Sequence, residues 1–229
     1  MVQFDLCVIT QRVVRLRSPQ VECLKRGHLE VAGAALEGGA GLVQLRDKGL
    51  PDRALWELGR EMRRLTRKRG AAFIVNDRVD IALAAEADGV HLGQDDMPVA
   101  AARRIMGAGA IIGASVASAQ EARAAEAEGA SYVSVGAIFA TSSKPDAGGA
   151  IGVRAIGEVK HAVDIPVLAI GGINCDNVEA VIRGGADGVA VLSAIAEAED
   201  MVAATAGLLR VIREARGRAS EMERVHDSA

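Results

Sequence analysis

Three kinds of residue in this sequence could do chemistry together: a pair of acids, a set of cations, and turns rich in glycine and serine. Asp77 ends the run Phe73-Ile-Val-Asn76-Asp77, and Asp96 ends His91-Leu-Gly-Gln94-Asp-Asp96. Carboxylates are hard oxygen ligands, and Mg²⁺ takes one or two of them together with substrate phosphate oxygens. Either acid could instead cap a helix, most readily Asp96, just before Met97-Pro98. Gln44, Arg46 and Lys48 alternate along one extended segment and so point the same way. Taken singly, each cation reads as a solvated surface charge. Two cations aimed together suit a polyanion better than a single phosphate. Lys144 follows Thr141-Ser-Ser143 and adds a third. Gly171-Gly172 and Leu192-Ser193 suit a phosphate held by backbone N–H groups, because glycine lets the backbone approach closely. A tight turn would use the same two glycines.

These residues follow short apolar runs, as buried strands opening into a polar site would require. The strands read as Leu6–Thr10, Leu42–Leu45, 73–75, Gly89–Leu92, 111–114, Tyr132–Val135, Val167–Ile170 and 188–192. After a polar stretch at 11–20, helical patterns alternate with them at 21–37, 52–70, 78–86, 98–106, 118–129, 153–163, 177–184 and 201–215. Ser118 and Glu121 resemble a capping box. Eight strands and eight helices predict an α/β fold, a single (β/α)8 TIM barrel over residues 1–215, with a polar C-terminal tail at 216–229. The runner-up is an open doubly wound sheet, but no Gly-x-Gly-x-x-Gly follows the first strand. Glu86-Ala-Asp-Gly-Val, Glu128-Gly-Ala-Ser-Tyr-Val and Gly185-Ala-Asp-Gly-Val each lead into a strand, like one recurring αβ turn.

A TIM barrel carries its active site at the C-terminal ends of the strands, and the loops after strands seven and eight often hold phosphate. The rim would then offer two anion sites. A metal-bridged diphosphate site would lie over strands two to six and a monophosphate site at strands seven and eight. Ser115 ends the fifth strand and Thr141–Lys144 follow the sixth. No Ser-His-Asp set, reactive Cys or Schiff-base Lys is visible, and His91 reads as a packed barrel residue. The chemistry implied is electrostatic assistance to a departing diphosphate beside a phosphorylated second substrate. The loop at 139–152 contains Gly148-Gly149 and is long enough to close over a site.

Half of the 229 residues are apolar and the net charge is -3, which allows a full core and does not suggest a nucleic-acid partner. No apolar run approaches the roughly 20 residues of a membrane span. Cys7, Cys23 and Cys175 form no metal motif. A cytoplasmic location is expected, and the reading is compatible with a homo-oligomer.

Gln44-Leu-Arg46-Asp-Lys48, Phe73-Ile-Val-Asn76-Asp77, His91-Leu-Gly-Gln94-Asp-Asp96, Gly113-Ala-Ser115, Val135-Gly-Ala-Ile-Phe-Ala-Thr141-Ser-Ser143-Lys144, Ala169-Ile-Gly-Gly172-Ile and Gly185-Ala-Asp-Gly-Val-Ala-Val-Leu-Ser193 resemble the thiamine phosphate synthase family. They stand in that family's order. The resemblance implies a transferase that joins hydroxymethylpyrimidine diphosphate to hydroxyethylthiazole phosphate, releasing diphosphate through a carbocation. It implies Mg²⁺ on Asp77 and Asp96, and diphosphate on Arg46, Lys48, Ser115 and Lys144. Gln44 and Asn76 would orient the pyrimidine. Thr141, Ser143, Gly172, Leu192 and Ser193 would border the thiazole phosphate. Three positions depart from the family: Ala117 replaces a His, Ala140 a Pro and Ser143 a Thr. The related thiazole tautomerase uses that His, so Ala117 argues against an isomerase. A non-catalytic phosphate-binding barrel is the other alternative.

Overall fold

The structure, a computed structural model, describes residues 2–11, 13–17, 22–141, 143 and 149–226, with the backbone alone at 13–17, 22–26 and 219–226. In chain order its strands are β1 (Leu6–Thr10), β2 (Val13–Arg17), β3 (Glu22–Arg26), β4 (Leu42–Leu45), β5 (Ala72–Asn76), β6 (Gly89–Leu92), β7 (Ile111–Val116), β8 (Tyr132–Val135), β9 (Val167–Ile170) and β10 (Gly188–Val191). Its helices are α1 (His28–Glu37), α2 (Asp52–Arg69), α3 (Val79–Ala84), α4 (Val99–Met106), α5 (Ala119–Ala127), α6 (Arg154–Lys160), α7 (Val178–Arg183), α8 (Ser193–Ala196) and α9 (Met201–His226). β1 and β4 through β10 close into one parallel barrel, β1 pairing with both β4 and β10. The TIM barrel expected from the alternation is the observed fold.

Four local differences stand beside this agreement, and the first two have a clear physical cause. The helix expected over 21–37 begins only at His28, because Gly27 takes the N-cap position in extended backbone. Glu22–Arg26 instead pairs antiparallel with Val13–Arg17, a run whose β-branched valines favour a strand. β7 extends to Val116, so Ser115 lies inside the strand rather than at its end. The short α8 follows β10 directly, and the last helix continues to His226.

Alternation along the strands divides the apolar side chains into two cores. Leu6 and Val8 face outward into the large layer between barrel and helices. Cys7 and Ile9 face inward with Leu42, Ile74, Ile111, Tyr132 and Leu168. Tyr132 fits there only because its neighbour on β7 is Gly113, where an added Cβ would fall 2.1 Å from the Tyr132 ring.

The recurring turn has a structural use at the N-terminal end of the barrel. Asp88 accepts the Phe73 N–H and an Arg63 donor, and Asp187 accepts the Val167 N–H and the Lys160 ammonium. Ser131 accepts the Ile112 N–H and an Arg103 donor. In each case one side-chain oxygen ties the preceding strand to the helix that leads into it. The echo belongs to barrel closure, away from the rim that carries the chemistry.

Gly113→Ala should lower unfolding free energy by about 1–3 kcal/mol, the usual penalty for overpacking a filled core. Denaturant unfolding followed by circular dichroism measures it; an unchanged midpoint would contradict the packing described.

Candidate functional site

The top inward layer of the barrel forms the floor of a cavity of about 360 Å³. Five neighbouring strands place polar groups on it: Gln44 from β4, Asn76 from β5, His91 from β6, Ser115 from β7 and Ser134 from β8. The remaining strands place Ile170, Ala190 and Ile9 there. The floor is therefore polar on one half and apolar on the other. His91 is a packed barrel residue: its Nδ1 lies 2.8 Å from Tyr132 Oη and its Nε2 3.0 Å from Ser115 Oγ.

Above the polar half stand Asp77, Asp96, Lys48 and Arg46. Neither acid caps a helix, since Arg78 and Pro98 take the N-cap positions of α3 and α4 without side-chain caps. Asp77 adopts a left-handed backbone with φ of 63° while its N–H donates to the His91 carbonyl at 2.8 Å. A non-glycine residue held there is a strained placement of the kind that clusters at functional sites. Asp96 is held by the Gly93 N–H at 2.6 Å. The two carboxylates line the same cavity, close enough for Asp96 to act on the titration of Asp77. Burial, then the Asp96 carboxylate, pushes Asp77 up to about 6, against the pull of Lys48 and Arg46. The Lys48 ammonium lies 3.8 Å from Asp77. Two acids this near each other are relieved by a shared proton or by a cation. Among the described residues no group of three or more His, Cys, Asp or Glu could hold a metal ion. A pair of hard oxygens completed by substrate phosphate is the donor set that fits Mg²⁺.

Asp47 stands between Arg46 and Lys48, and the sequence pattern did not single it out. Alternation turns it away from its neighbours. Its Oδ2 lies 3.0 Å from Nε2 of buried His28 on α1, and its Oδ1 accepts the Gly49 and Leu50 N–H groups. His28 Nδ1 lies 3.0 Å from Thr10 Oγ1, whose hydroxyl donates to the Gln44 carbonyl. This network fixes the segment that carries Gln44, Arg46 and Lys48. Arg46 also donates to Gln11 at 2.8 Å. Gln94 was likewise left without a role by the sequence. It donates to the Ser115 carbonyl and to Glu121, whose carboxylate also accepts the Ala117 N–H. The Glu121 N–H donates to Ser118 Oγ, so the N-terminal end of α5 is tied to the loop after β6.

A second cavity, of about 300 Å³, adjoins the first, and Arg46, Gln94, Ser115 and Ser134 line both. Thr141, Ser143, Gly171, Gly172, Leu192 and Ser193 line the second cavity, and so does Ala117. Gly171 and Gly172 have φ of 102° and 64°. A Cβ on Gly172 would fall 2.6 Å from the Ala140 carbonyl oxygen. These glycines thus make a tight turn and also form the cavity wall. Lys144 lies outside the described residues. No helix among the described residues is long and apolar enough to cross a membrane.

A family model described as thiamine monophosphate synthase matches residues 16–195. A thiamine-phosphate synthase from Moorella thermoacetica is 53% identical over 193 residues, covering 84% of this chain and 92% of the relative. One from Pyrococcus horikoshii is 48% identical over 215 residues, covering 94% and 98%. The solved thiamine phosphate pyrophosphorylase of Pyrococcus furiosus superposes with a TM-score of 0.81 at 44% identity, covering 93% of this chain and 98% of that one.

NMR titration should find Asp77 well above an ordinary carboxylate. Asp96→Asn should lower its pKa by removing a like charge, and Lys48→Ala should raise it by removing a cation. Unchanged values in both variants would contradict this proximity.

Proposed function

The chain belongs to the thiamine monophosphate synthase family and is a transferase; from that premise we propose an Mg²⁺-dependent, dissociative reaction divided between the two cavities. The substrates are 4-amino-5-hydroxymethyl-2-methylpyrimidine diphosphate and 4-methyl-5-(2-hydroxyethyl)thiazole phosphate. The products are thiamine phosphate and diphosphate. The division is carried by the pair of adjoining cavities, which share Arg46, Gln94, Ser115 and Ser134 among their polar residues and differ in the others. Lys48, Asp77 and Asp96 line only the first, and Thr141, Ser143, Gly171, Gly172 and Ser193 only the second.

In this reading Asp77 and Asp96 hold the cation, which supplies charge neutralisation to the departing diphosphate. Arg46 and Lys48, fixed by the Asp47–His28 network, bind the diphosphate oxygens, and Lys144, next after Ser143 in the sequence, is assigned the same role. Ser115 needs a free O–H to serve a phosphate, which has only acceptor oxygens. The tautomer with His91 Nε2–H donating to Ser115 Oγ provides it, with the Tyr132 hydroxyl donating to Nδ1. Burial holds the Tyr132 phenol well above its ordinary pKa, so it keeps the proton that this arrangement needs. Gln44 and Asn76 orient the pyrimidine. The C–O bond breaks with its electron pair leaving on diphosphate, and the resulting carbocation is captured by the thiazole nitrogen. Thr141, Ser143, Gly172, Leu192 and Ser193 hold the thiazole phosphate so that the nitrogen faces the shared residues. With the fold and rim of a transferase in this family, a cytoplasmic biosynthetic role fits, and self-association is compatible with it.

Purified protein given both substrates and Mg²⁺ should form thiamine phosphate. Asp77→Ala should lower turnover by about 10²-fold or more, the scale of losing one preorganised electrostatic group. Its thiazole phosphate affinity should stay near wild type. Equal losses of turnover and thiazole phosphate affinity would refute the division.

A further inference from the structure

One fully buried polar atom at the site has no hydrogen-bond partner among the described residues. Ser134, on β8, is 4% exposed and its Oγ makes no hydrogen bond among the described residues. Leaving a buried hydroxyl unsatisfied is unfavourable, whereas an apolar group of the same shape would be nearly neutral. Alanine would fit this place in the barrel without that penalty. Ser134 also lines both cavities, at the border where the polar half of the floor meets Ile9, Ile170 and Ala190. In register it stands beside Ser115 on one side and Leu168 on the other.

We infer that the Ser134 hydroxyl is a specificity-determining contact to the edge of the aminopyrimidine ring of the diphosphate substrate. The inference rests on the division of substrates proposed above and adds a residue to it. Two chemical facts select the ring. An anionic phosphate is poorly matched to the apolar half beside Ser134, while the face of a heteroaromatic ring can lie on Ile9, Ile170 and Ala190. Its edge then meets the polar half. The thiazole has one ring nitrogen, which must keep its lone pair free to form the new bond, so a hydroxyl donating to it would oppose the reaction. The aminopyrimidine has two ring nitrogens and an amine, more polar positions than Gln44 and Asn76 can each meet with one contact. A serine has three staggered χ1 wells, so its hydroxyl can turn to the ring without backbone movement.

Ser134→Ala separates this role from a structural one. Removing an unpartnered hydroxyl should leave the unfolding midpoint unchanged or raise it. Affinity for the pyrimidine diphosphate, measured by calorimetry with Mg²⁺, should fall about 3- to 10-fold, the scale of one neutral hydrogen bond. Affinities for inorganic diphosphate and for thiazole phosphate should not change. Ser134→Gly, which also lacks the hydroxyl, should give the same split. Unchanged pyrimidine diphosphate affinity in both variants would overturn the assignment. So would a loss shared equally by inorganic diphosphate, or one falling on the thiazole phosphate. Failure of the wild-type protein to form thiamine phosphate would overturn the functional reading instead, and the two failures are read in separate measurements.

Discussion

Two neighbouring carboxylates at the mouth of the barrel, Asp77 and Asp96, set the terms for the residues around them. Like charges in a half-buried place repel, and folding alone gives no reason to bring them together. Several features nevertheless converge to do it. Asp77 is held in left-handed backbone by a hydrogen bond to β6, and the Gly93 N–H turns Asp96 toward it. Lys48 and Arg46 approach from β4 and offset part of the repulsion. The arrangement makes sense if the pair is completed by something positive that is itself bound to something negative. A cation shared with a diphosphate answers that description.

The rest of the barrel separates stability from chemistry. At the N-terminal end, Asp88, Ser131 and Asp187 repeat one device that ties strand to helix. At the C-terminal end, the same alternation of side chains builds a floor that is polar over five strands and apolar over three. Gly113 links the two ends, because the space it leaves lets Tyr132 stand inside the barrel with its hydroxyl against His91. His91 in turn meets Ser115 at the floor. A packing choice deep in the barrel thereby sets the position of the His91 ring that meets Ser115.

Much of this was legible in the sequence for a simple reason. Strands buried on both faces read as apolar runs, and in a parallel barrel every such run ends at the same rim. The acids, the cations and the Gly171-Gly172 turn could therefore be placed on one rim from their positions after those runs. Other features carry no such mark. The hairpin of β2 and β3 hides because residues 21–26 also fit a helical pattern, and only Gly27 shows where the helix must start. Asp47 sits in a string of charged residues, and its partner His28 lies on a helix before the strand. Ser134 lies within an apolar run, and its inward direction follows only once the register with Ser115 is known. Ser118 caps α5 as the sequence suggests, but the Glu121 carboxylate takes the Ala117 N–H in place of the Ser118 N–H and reaches Gln94, a contact across two loops that no local pattern encodes.

The central claim is that the acid pair holds a divalent cation on behalf of the diphosphate and not of the monophosphate. Calorimetric titration of inorganic diphosphate and of thiazole phosphate, each with and without Mg²⁺, tests it most directly. Mg²⁺ should strengthen diphosphate binding by about tenfold or more, on the scale of losing or gaining a metal-site interaction. Asp96→Asn should remove this dependence, and thiazole phosphate binding should be indifferent to Mg²⁺. Diphosphate binding equally tight without Mg²⁺, or unchanged Mg²⁺ dependence in Asp96→Asn, would contradict it.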